Sequence, residues 1–247
     1  MLLSTGLCVL PISASIAGCT QTIFLTASTC DRQVALIDSG HPGQKNLILA
    51  AMLDHGLSSD ALSAIMLTHQ DIDHIGSATA LRDSVPQSVI VYAHRAEIPF
   101  ISGRRRLLKL TDEAIEHALS GLPPDLPTER KAGIERALRN PPTVTVDVPV
   151  EDGQRLPVPG NPLVICTPGH TPGHISLFFE QSSTLVAGDC LVAGKHELML
   201  PDERLCADYS QAIESVRKLM SYDLRSVICY HGGIVSGNIR SQLGKLL

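Results

Sequence analysis

Apolar runs that each end at a histidine or an aspartate constrain the fold of this chain more than any other feature. The run "AIMLTH" ends at His69, "LVICTPGH" at His170, "TLVAGD" at Asp189 and "SVICYH" at His231. Each run is short and rich in aliphatic residues, which is typical of buried strands. Side chains from the ends of different strands can meet in the loops beside a sheet. The pattern therefore predicts one polar site built from several strand ends.

Strands and helices alternate along most of the chain. "TIFLTAST" and "VALIDSG", separated by the polar turn "CDRQ", indicate a hairpin, and residues 43–57 indicate a helix. The strand "AIMLTH", the helix "SATALRDS" and the strand "SVIVYAH" follow. Later strands are predicted at "TVTVDVPV", "NPLVICTPGH", "HISLFFE", "STLVAGD" and finally "SVICYHGG". Before the last of these, a helix at about 208–221 has Asp208 as its predicted N-cap.

The texture of the sequence changes between residues 97 and 142. "RRRLLKLTDEAIEHALSGL" and "TERKAGIERALRN" have helical periodicity and charge, and "PPDLP" separates them. We interpret 97–142 as a helical cap insertion within a single domain that spans 1–247. The two β-rich halves on either side of it predict an α/β sandwich of two sheets covered by helices on both faces.

Composition limits the partners that this chain is expected to bind. The 247 residues are 44% hydrophobic, which is enough for a sizeable core, and no apolar run is long enough to span a membrane. The net charge is −5 without a long single-sign block, and aromatic residues make up only 3%. A nucleic-acid binder would need a basic surface or stacking aromatics. We expect a small-molecule substrate, no nucleic acid and no membrane. The oligomeric state stays open, a homodimer included.

Seven cysteines are scattered through the chain without a C-x-x-C pair. An odd number does not suit a secreted disulfide framework, so reduced thiols in a cytoplasmic protein are expected. The start, "MLLSTGLCVLPISASIAGC", contains "SIAGC", which is similar to a lipoprotein cleavage site. It lacks the basic residues that begin a signal peptide. We therefore interpret it as a pair of opening strands, with export as the alternative.

The motifs "THQDIDHIG", "TPGHTPGH", "VAGD" and "CYHGG", in this order, resemble those of metallo-β-lactamase-fold hydrolases. The resemblance extends over nearly the whole chain. It implies an αββα four-layer sandwich of two mixed sheets flanked by helices, with a binuclear metal site at one edge. In "LIDSGHPGQ" it implies that Asp38 supports the site from below.

The resemblance also implies a set of metal ligands. One metal ion would be held by His69, Asp71 and His170, the other by Asp73, His74 and His231, with Asp189 as the bridge. His174, the second histidine of "TPGHTPGH", matches a supporting position. Two divalent ions are expected, zinc first, with manganese or iron as alternatives. Asp73 would also orient the metal-bridging hydroxide that attacks the substrate.

Asp71 departs from the family pattern, which has a histidine at this position. A carboxylate in place of a neutral imidazole makes the site less positive and favours harder, oxygen-preferring ions. Two alternatives stay open. Asp71 points away and leaves one ion at Asp73, His74 and His231, or it signals diiron oxygen chemistry.

The predicted function is hydrolysis of a carboxylic ester, lactone or thioester of a small molecule. The alternatives are β-lactam hydrolysis, a diiron redox enzyme, and a metal-bearing binding protein without turnover. Candidate substrate contacts are His94 at the end of "VIVYAH" and Lys195 after Asp189. The basic stretch "GRRRLLK" at 103–109 is a candidate entrance for anionic substrates from the cap. Replacing Arg104, Arg105 and Arg106 with alanine would test it.

Overall fold

Two β-sheets form the centre of the protein in a computed structural model that describes residues 6–16, 18–195 and 197–247. The first sheet has the strand order β1-β2-β3-β4-β5-β6. Its strands are β1 (Leu7–Ile16), β2 (Cys19–Cys30), β3 (Gln33–Ile37), β4 (Leu62–Leu67), β5 (Ile90–His94) and β6 (Val148–Val150). Strands β1 to β3 pair antiparallel and β3 to β6 pair parallel, so the sheet is mixed.

The second sheet is also mixed and has the order β13-β12-β9-β8-β7. Its strands are β7 (Leu163–Cys166), β8 (Ile175–Phe179), β9 (Thr184–Gly188), β12 (Ser226–Cys229) and β13 (Gly233–Ser236). Strands β9 and β12 are parallel, and the other neighbours are antiparallel. A short ribbon joins β10 (Val192–Ala193) to β11 (Leu198–Met199).

Helices flank both sheets. They are α1 (Lys45–Asp54), α2 (Ile72–Ile75), α3 (Ala78–Arg82), α4 (Ile98–Ile101), α5 (Asp112–Ser120), α6 (Thr128–Arg139), α7 (Tyr209–Leu219) and α8 (Ile239–Gly244). The predicted fold class, two mixed sheets flanked by helices, is confirmed. Within the described ranges, no helix has the length and apolar character needed to cross a membrane.

Three buried apolar clusters fill the spaces between the layers. Each strand can contribute to two of them, because alternate side chains of a strand point to opposite faces of the sheet. In β4, Ile65 and Leu67 belong to the cluster under α1 and α3, whereas Ala64 and Met66 belong to the cluster between the sheets. The third cluster lies between the second sheet and helices α7 and α8. Burial on both faces explains why the strands read as continuous apolar runs.

The predicted hairpin is confirmed. The opening stretch 1–19, predicted as a pair of strands, holds one strand, β1, before β2 begins at Cys19; its residues 1–5 and 17 lie outside the described ranges. Strands β2 and β3 are joined at Asp31 and Arg32, both with positive φ, which suits the twist of a two-residue hairpin. Strand β1 pairs with β2 along its whole length. The seven cysteines form no disulfide in the part of the chain that the structure describes.

The strand predicted at "TVTVDVPV" was wrong in extent, since β6 begins only at Val148. Other groups satisfy the backbone before it. Thr79 Oγ1 donates to the carbonyl of Thr143 at 2.5 Å, and Arg82 donates to that of Thr145 at 3.1 Å. The expectation that "SVICYHGG" holds the last strand was also wrong, because β12 ends at Cys229 and a further strand, β13, begins at Gly233.

The segment from residue 97 to 142 contains α5 and α6 in the two stretches with helical periodicity, and α4 before them. The first predicted helix was wrong in extent, because α5 begins only at Asp112 and residues 104–111 form a loop. Thr111 caps α5 by accepting a hydrogen bond from the Ala114 N–H at 3.1 Å. Whether the segment acts as a cap on a single domain stays a prediction.

Candidate metal centre

Seven histidine and aspartate side chains from both sheets meet at one edge of the sandwich. His69 and Asp71 follow β4, and the short helix α2 carries Asp73 and His74. The second sheet contributes His170 after β7, Asp189 after β9 and His231 after β12. The structure thus brings together every residue for which the sequence predicts a ligand role, in two adjacent groups.

The first group consists of His69, Asp71, His170 and Asp189, whose ligand atoms all lie within 4.8 Å of one another. Asp71 Oδ2 is 3.2 Å from His69 Nε2 and 3.1 Å from His170 Nε2. The carboxylate of Asp71 therefore points into the group, and the structure does not support the alternative in which it turns away.

The second group consists of Asp73, His74 and His231. His231 Nε2 is 3.4 Å from Asp73 Oδ2, and His74 Nε2 is 3.7 Å from the same atom. Asp189 lies between the groups: its Oδ1 is 3.4 Å from His74 Nε2, and its Oδ2 is 3.4 Å from His170 Nε2 and 3.5 Å from His231 Nε2. This position suits a bridging carboxylate.

Several buried ligand atoms lack a hydrogen bond. Within the described ranges, His69 Nε2, His74 Nε2 and Asp189 Oδ1 are buried and have no hydrogen-bond partner. A buried polar atom without a partner is costly, so its presence calls for an explanation. Imidazole nitrogens and carboxylate oxygens converging in this way are the donor set of a divalent metal site. The residues present therefore fit metal ions in both groups.

Asp38 holds the histidines of the "THQDIDH" loop from below. Its buried carboxylate accepts hydrogen bonds from Thr68 N at 2.8 Å and from His74 Nδ1, also at 2.8 Å. Thr68 Oγ1 donates a hydrogen bond to Asp38 and accepts one from His69 Nδ1 at 3.0 Å. Both imidazoles are thus fixed through Nδ1, which leaves Nε2 facing the site.

His174 has a supporting position rather than a ligand position. The Asp189 N–H donates to its Nε2 at 3.0 Å, so its Nδ1 carries the proton and donates to Thr167 Oγ1 at 2.9 Å. Burial holds the pKa of His174 well below its usual range, with the charges of His69 and His170 adding to the effect. His174 therefore stays neutral and fixes the backbone of Asp189.

Helix α7 positions the loop that carries His170. Its N-cap Asp208 accepts from the Gln211 N–H at 2.9 Å, as predicted, and the Asp208 N–H donates to the Gly169 carbonyl at 2.9 Å. Gly169 has φ +132°, and a Cβ there would lie 2.2 Å from Ala212 N. Only glycine permits this approach of the ligand loop to the helix.

The carboxylates of the site are ionised at neutral pH. Burial alone would raise the pKa of Asp71, but His69, His170 and Lys109 together hold it well below its usual range. Burial would likewise raise the pKa of Asp73, but His74 and His231 outweigh this effect and lower the pKa to about 2. The Asp71 and Asp73 carboxylates therefore carry negative charges that suit cations.

His69 of the first group and His231 of the second differ in their protonation. Burial lowers the pKa of His69 to about 4, helped by the charge of His74. For His231, burial is outweighed by the hydrogen bonds to Asp189 and Asp73, which raise the pKa to about 9. Binding a metal ion at His231 therefore requires the loss of a proton at neutral pH.

Sequence reasoning missed Glu97 and Gln70. Glu97 is fully buried, and its Oε2 accepts from Gln70 N and Nε2, each at 2.9 Å, while its Oε1 accepts from Gly173 N at 2.7 Å. It connects the loop that contains Asp71 to the loop that contains His170. Burial raises the pKa of Glu97. No periodicity marks this residue, because its partners are distant in sequence.

Lys109 and His41 were also missed. Lys109 Nζ contacts Asp71 Oδ2 and lies 2.6 Å from His170 Nε2. His41 lies close enough to Asp73, His74 and His231 for their charges to act on it, although burial is what mainly lowers its pKa. Both residues lie in stretches that the sequence analysis singled out, "GRRRLLK" and "LIDSGHPGQ", which was the available signal.

The proposed substrate contacts lie outside the two groups. His94 ends β5 against Gly173, and its Nδ1 accepts from the Ala96 N–H at 3.3 Å. Lys195 is exposed in the loop between β10 and β11. Arg104, Arg105 and Arg106 are exposed, and Arg106 pairs with Asp112 at 2.7 Å. Their roles toward a substrate stay predictions.

Comparisons with known proteins agree with this geometry. The model of the Metallo-beta-lactamase superfamily matches residues 29–231. A probable metallo-hydrolase, YflN of Bacillus subtilis (strain 168), is 30% identical over 229 residues, which cover 85% of this chain and 80% of that protein. The hydroxyacylglutathione hydrolase of Synechococcus sp. (strain ATCC 27144 / PCC 6301 / SAUG 1402/1) is 27% identical, over 85% of this chain and 63% of the enzyme.

Solved structures have the same fold. The metallo-beta-lactamase family protein TTHA1429 from Thermus thermophilus aligns with a TM-score of 0.68 and 23% identity, over 98% of this chain and 78% of that one. TTHA1623, solved in a di-iron-bound form, aligns with a TM-score of 0.63 and 22% identity, over 94% and 97%. With the family model matched across most of its length and a relative at 30% identity, the chain belongs to the metallo-beta-lactamase superfamily.

Proposed function

We propose that this protein is a hydrolase that uses two divalent metal ions to cleave a carboxylic ester, lactone or thioester of a small molecule. Zinc is the first candidate, and iron or manganese the next, since Asp71 adds a hard oxygen ligand. We place the protein in the cytoplasm, as its cysteine usage suggests.

One observation carries the proposal: two ligand groups lie side by side and share Asp189, with buried Nε2 and Oδ1 atoms that have no hydrogen bond among the described residues. Divalent ions held there would supply Lewis acidity and a water deprotonated at neutral pH. This is the chemistry that hydrolysis of an activated carbonyl requires.

The chain's own residues have separable tasks in this proposal. Asp38 and His174 fix the ligands from behind, so that the site is already arranged before a substrate arrives. Asp73, ionised and 20% exposed at its side chain, faces the opening and orients the nucleophile. Its backbone carbonyl accepts a hydrogen bond from the buried Tyr230 hydroxyl, which holds α2 in place.

A thioester is the first substrate class to test. A relative over 85% of this chain is named hydroxyacylglutathione hydrolase, and that name describes the cleavage of an acyl-glutathione. The "TPGHTPGH" stretch resembles that group as well. The identity of 27% leaves the choice between thioester, ester and lactone to experiment.

The experiment is a panel of acyl-glutathione thioesters, aryl esters, homoserine lactones and a chromogenic cephalosporin. It is run with the metal-loaded protein, the chelator-treated protein, and the variants Asp73→Ala and Asp54→Ala. Asp54 is an exposed carboxylate at the end of α1 and is the matched control. We expect turnover of at least one acyl substrate, lost on chelation and reduced by more than about a hundredfold in Asp73→Ala.

Three outcomes would contradict the proposal. Activity that survives both chelation and Asp73→Ala would not come from this metal centre. Turnover of the cephalosporin alone would make the protein a β-lactamase. Metal binding without turnover of any substrate, together with metal-dependent oxygen consumption, would favour the diiron alternative.

A further inference from the structure

Lys109 brings a positive charge into the first ligand group from outside both sheets. It lies between α4 and α5, at the end of "GRRRLLK". Its Nζ contacts Asp71 Oδ2 and lies 2.6 Å from His170 Nε2, and 28% of its side chain is exposed. The ammonium therefore contacts the same two atoms that would bind a metal ion in this group.

The backbone beside Lys109 is attached to the loop that carries His69 and Asp71. The Leu108 N–H donates to Gln70 Oε1 at 2.8 Å, and Gln70 is the residue between the ligands His69 and Asp71. Gln70 is itself held by the buried carboxylate of Glu97. Leu107 is 5% exposed and packs in the core. These contacts fix the position from which the Lys109 side chain reaches the first group.

The second group has a different electrostatic environment. Within the described ranges, the close basic partners of Asp73 are His74 and His231, at 3.7 and 3.4 Å. Both are residues that can themselves bind a metal ion after losing a proton. In the first group, by contrast, the Asp71 carboxylate has an ammonium partner that cannot bind a metal ion while it stays charged.

We propose that Lys109 is an internal cation of the first group and competes with a metal ion for Asp71 and His170. The second group consequently binds its metal ion first and more tightly. The first group fills only when the Lys109 side chain moves away, which the partial exposure of its side chain permits. Two positive charges about 4 Å apart repel each other strongly even in a polar site. This inference rests on the proposed metal-dependent function but not on any particular substrate.

Equilibrium dialysis of the full chain against buffered free zinc tests this. For the unaltered protein we expect one ion per chain at low free zinc and a second ion only at higher free zinc. In Lys109→Met the second ion should bind at least about tenfold more tightly, equivalent to about 1.4 kcal/mol, while the affinity for the first ion stays unchanged. Lys109→Gln, also neutral, should behave like Lys109→Met and guards against a folding defect in one variant.

Two further variants locate the effect. Lys245→Met removes the same charge from the exposed end of α8, away from both groups, and should leave both binding steps unchanged. Asp71→Asn combined with Lys109→Met should abolish the tighter binding of the second ion, because that ion binds in the first group. Circular dichroism of each metal-free variant shows that it is folded.

The inference is overturned if both neutral variants at position 109 bind zinc as the unaltered protein does, or more weakly. It is overturned as well if the gain persists without the Asp71 carboxylate. Two ions that bind with unchanged affinities would contradict this inference alone. A chain that binds no zinc in any variant would contradict the proposed function and, with it, this inference.

Discussion

Asp71 is the residue that most distinguishes this site from the family pattern. Its carboxylate lies in the first group, near two imidazole nitrogens and the Lys109 ammonium. A carboxylate makes the group more negative and harder than a histidine would. Lys109 offsets part of that added charge, so the roles of the carboxylate and the ammonium are best understood together.

Asp71→His should shift the metal preference toward zinc. A neutral, softer ligand would replace the carboxylate, and Lys109 would lose its ion-pair partner. After dialysis against equal zinc and manganese, we expect the bound zinc-to-manganese ratio to rise by about tenfold, or about 1.4 kcal/mol. Elemental analysis measures it. Asp54→His is the control, and an unchanged ratio in Asp71→His would contradict a ligand role for Asp71.

His231 should make the metal-free protein less stable as the pH rises. Its pKa is about 9 in the folded chain and near 6.5 in the unfolded chain. Its contribution is therefore fully present below pH 6.5 and is lost as the pH rises toward 9. Urea denaturation of the chelator-treated protein at pH 6.5 and 8.5 should show the decrease, and His231→Gln should make it smaller. Stability that rises over this interval would refute the assignment.

At the scale of elements, α7 links helix capping to the site. Its N-cap Asp208 binds the backbone of Gln211, and Ser215 Oγ of the same helix donates to the Pro168 carbonyl at 2.5 Å. The helix therefore holds residues 168–169, directly before His170. A defect in the helix start should be transmitted to the ligand loop.

Asp208→Ala should lower the free energy of unfolding by about 1 kcal/mol, because a helix N–H loses its partner. Zinc affinity should fall with it, since the Gly169–His170 loop contacts the same helix start. Urea denaturation and zinc dialysis measure the two effects. Glu203→Ala, an exposed neighbour in the preceding turn, should change neither. An Asp208→Ala protein as stable as the original would show that this cap is not needed.

At the scale of the whole molecule, the ligand groups connect the two sheets. His69, Asp71, Asp73 and His74 come from the first sheet, and His170, Asp189 and His231 come from the second. A metal ion bound in either group would hold both sheets at once. Metal binding is thus expected to stabilise the fold as a whole rather than one loop.

Zinc should raise the melting temperature, and a chelator should lower it. At a free zinc concentration about a hundred times the dissociation constant, a single site adds about 2.7 kcal/mol. Asp189→Asn should remove most of this shift, because Asp189 faces both groups. Thermal unfolding followed by circular dichroism measures it, with Asp202→Asn, an exposed aspartate, as the control. Equal shifts in both variants would contradict a shared role for Asp189.

The sequence by itself determined much of this protein. Continuous apolar runs predict strands buried on both faces, and β4, β5, β7, β8, β9 and β12 lie where those runs stand. The ligand candidates are found from sequence because each follows a strand, at a position that local pattern defines. The short extent of β6 was not predictable, since distant side chains from α3 bind the backbone carbonyls of residues 143 and 145, which precede it.

Only the tertiary structure decided which other residues reach the site. Lys109 is 38 positions from Asp71, and Glu97 is 27 positions from Gln70. No periodicity connects such residues, because their distance depends on how the segment between β5 and β6 returns to the sheet edge. Sequence patterns record which face of an element is apolar. They do not record where the charged end of a long side chain comes to lie, and at this site that position places an ammonium beside the candidate metal ligands.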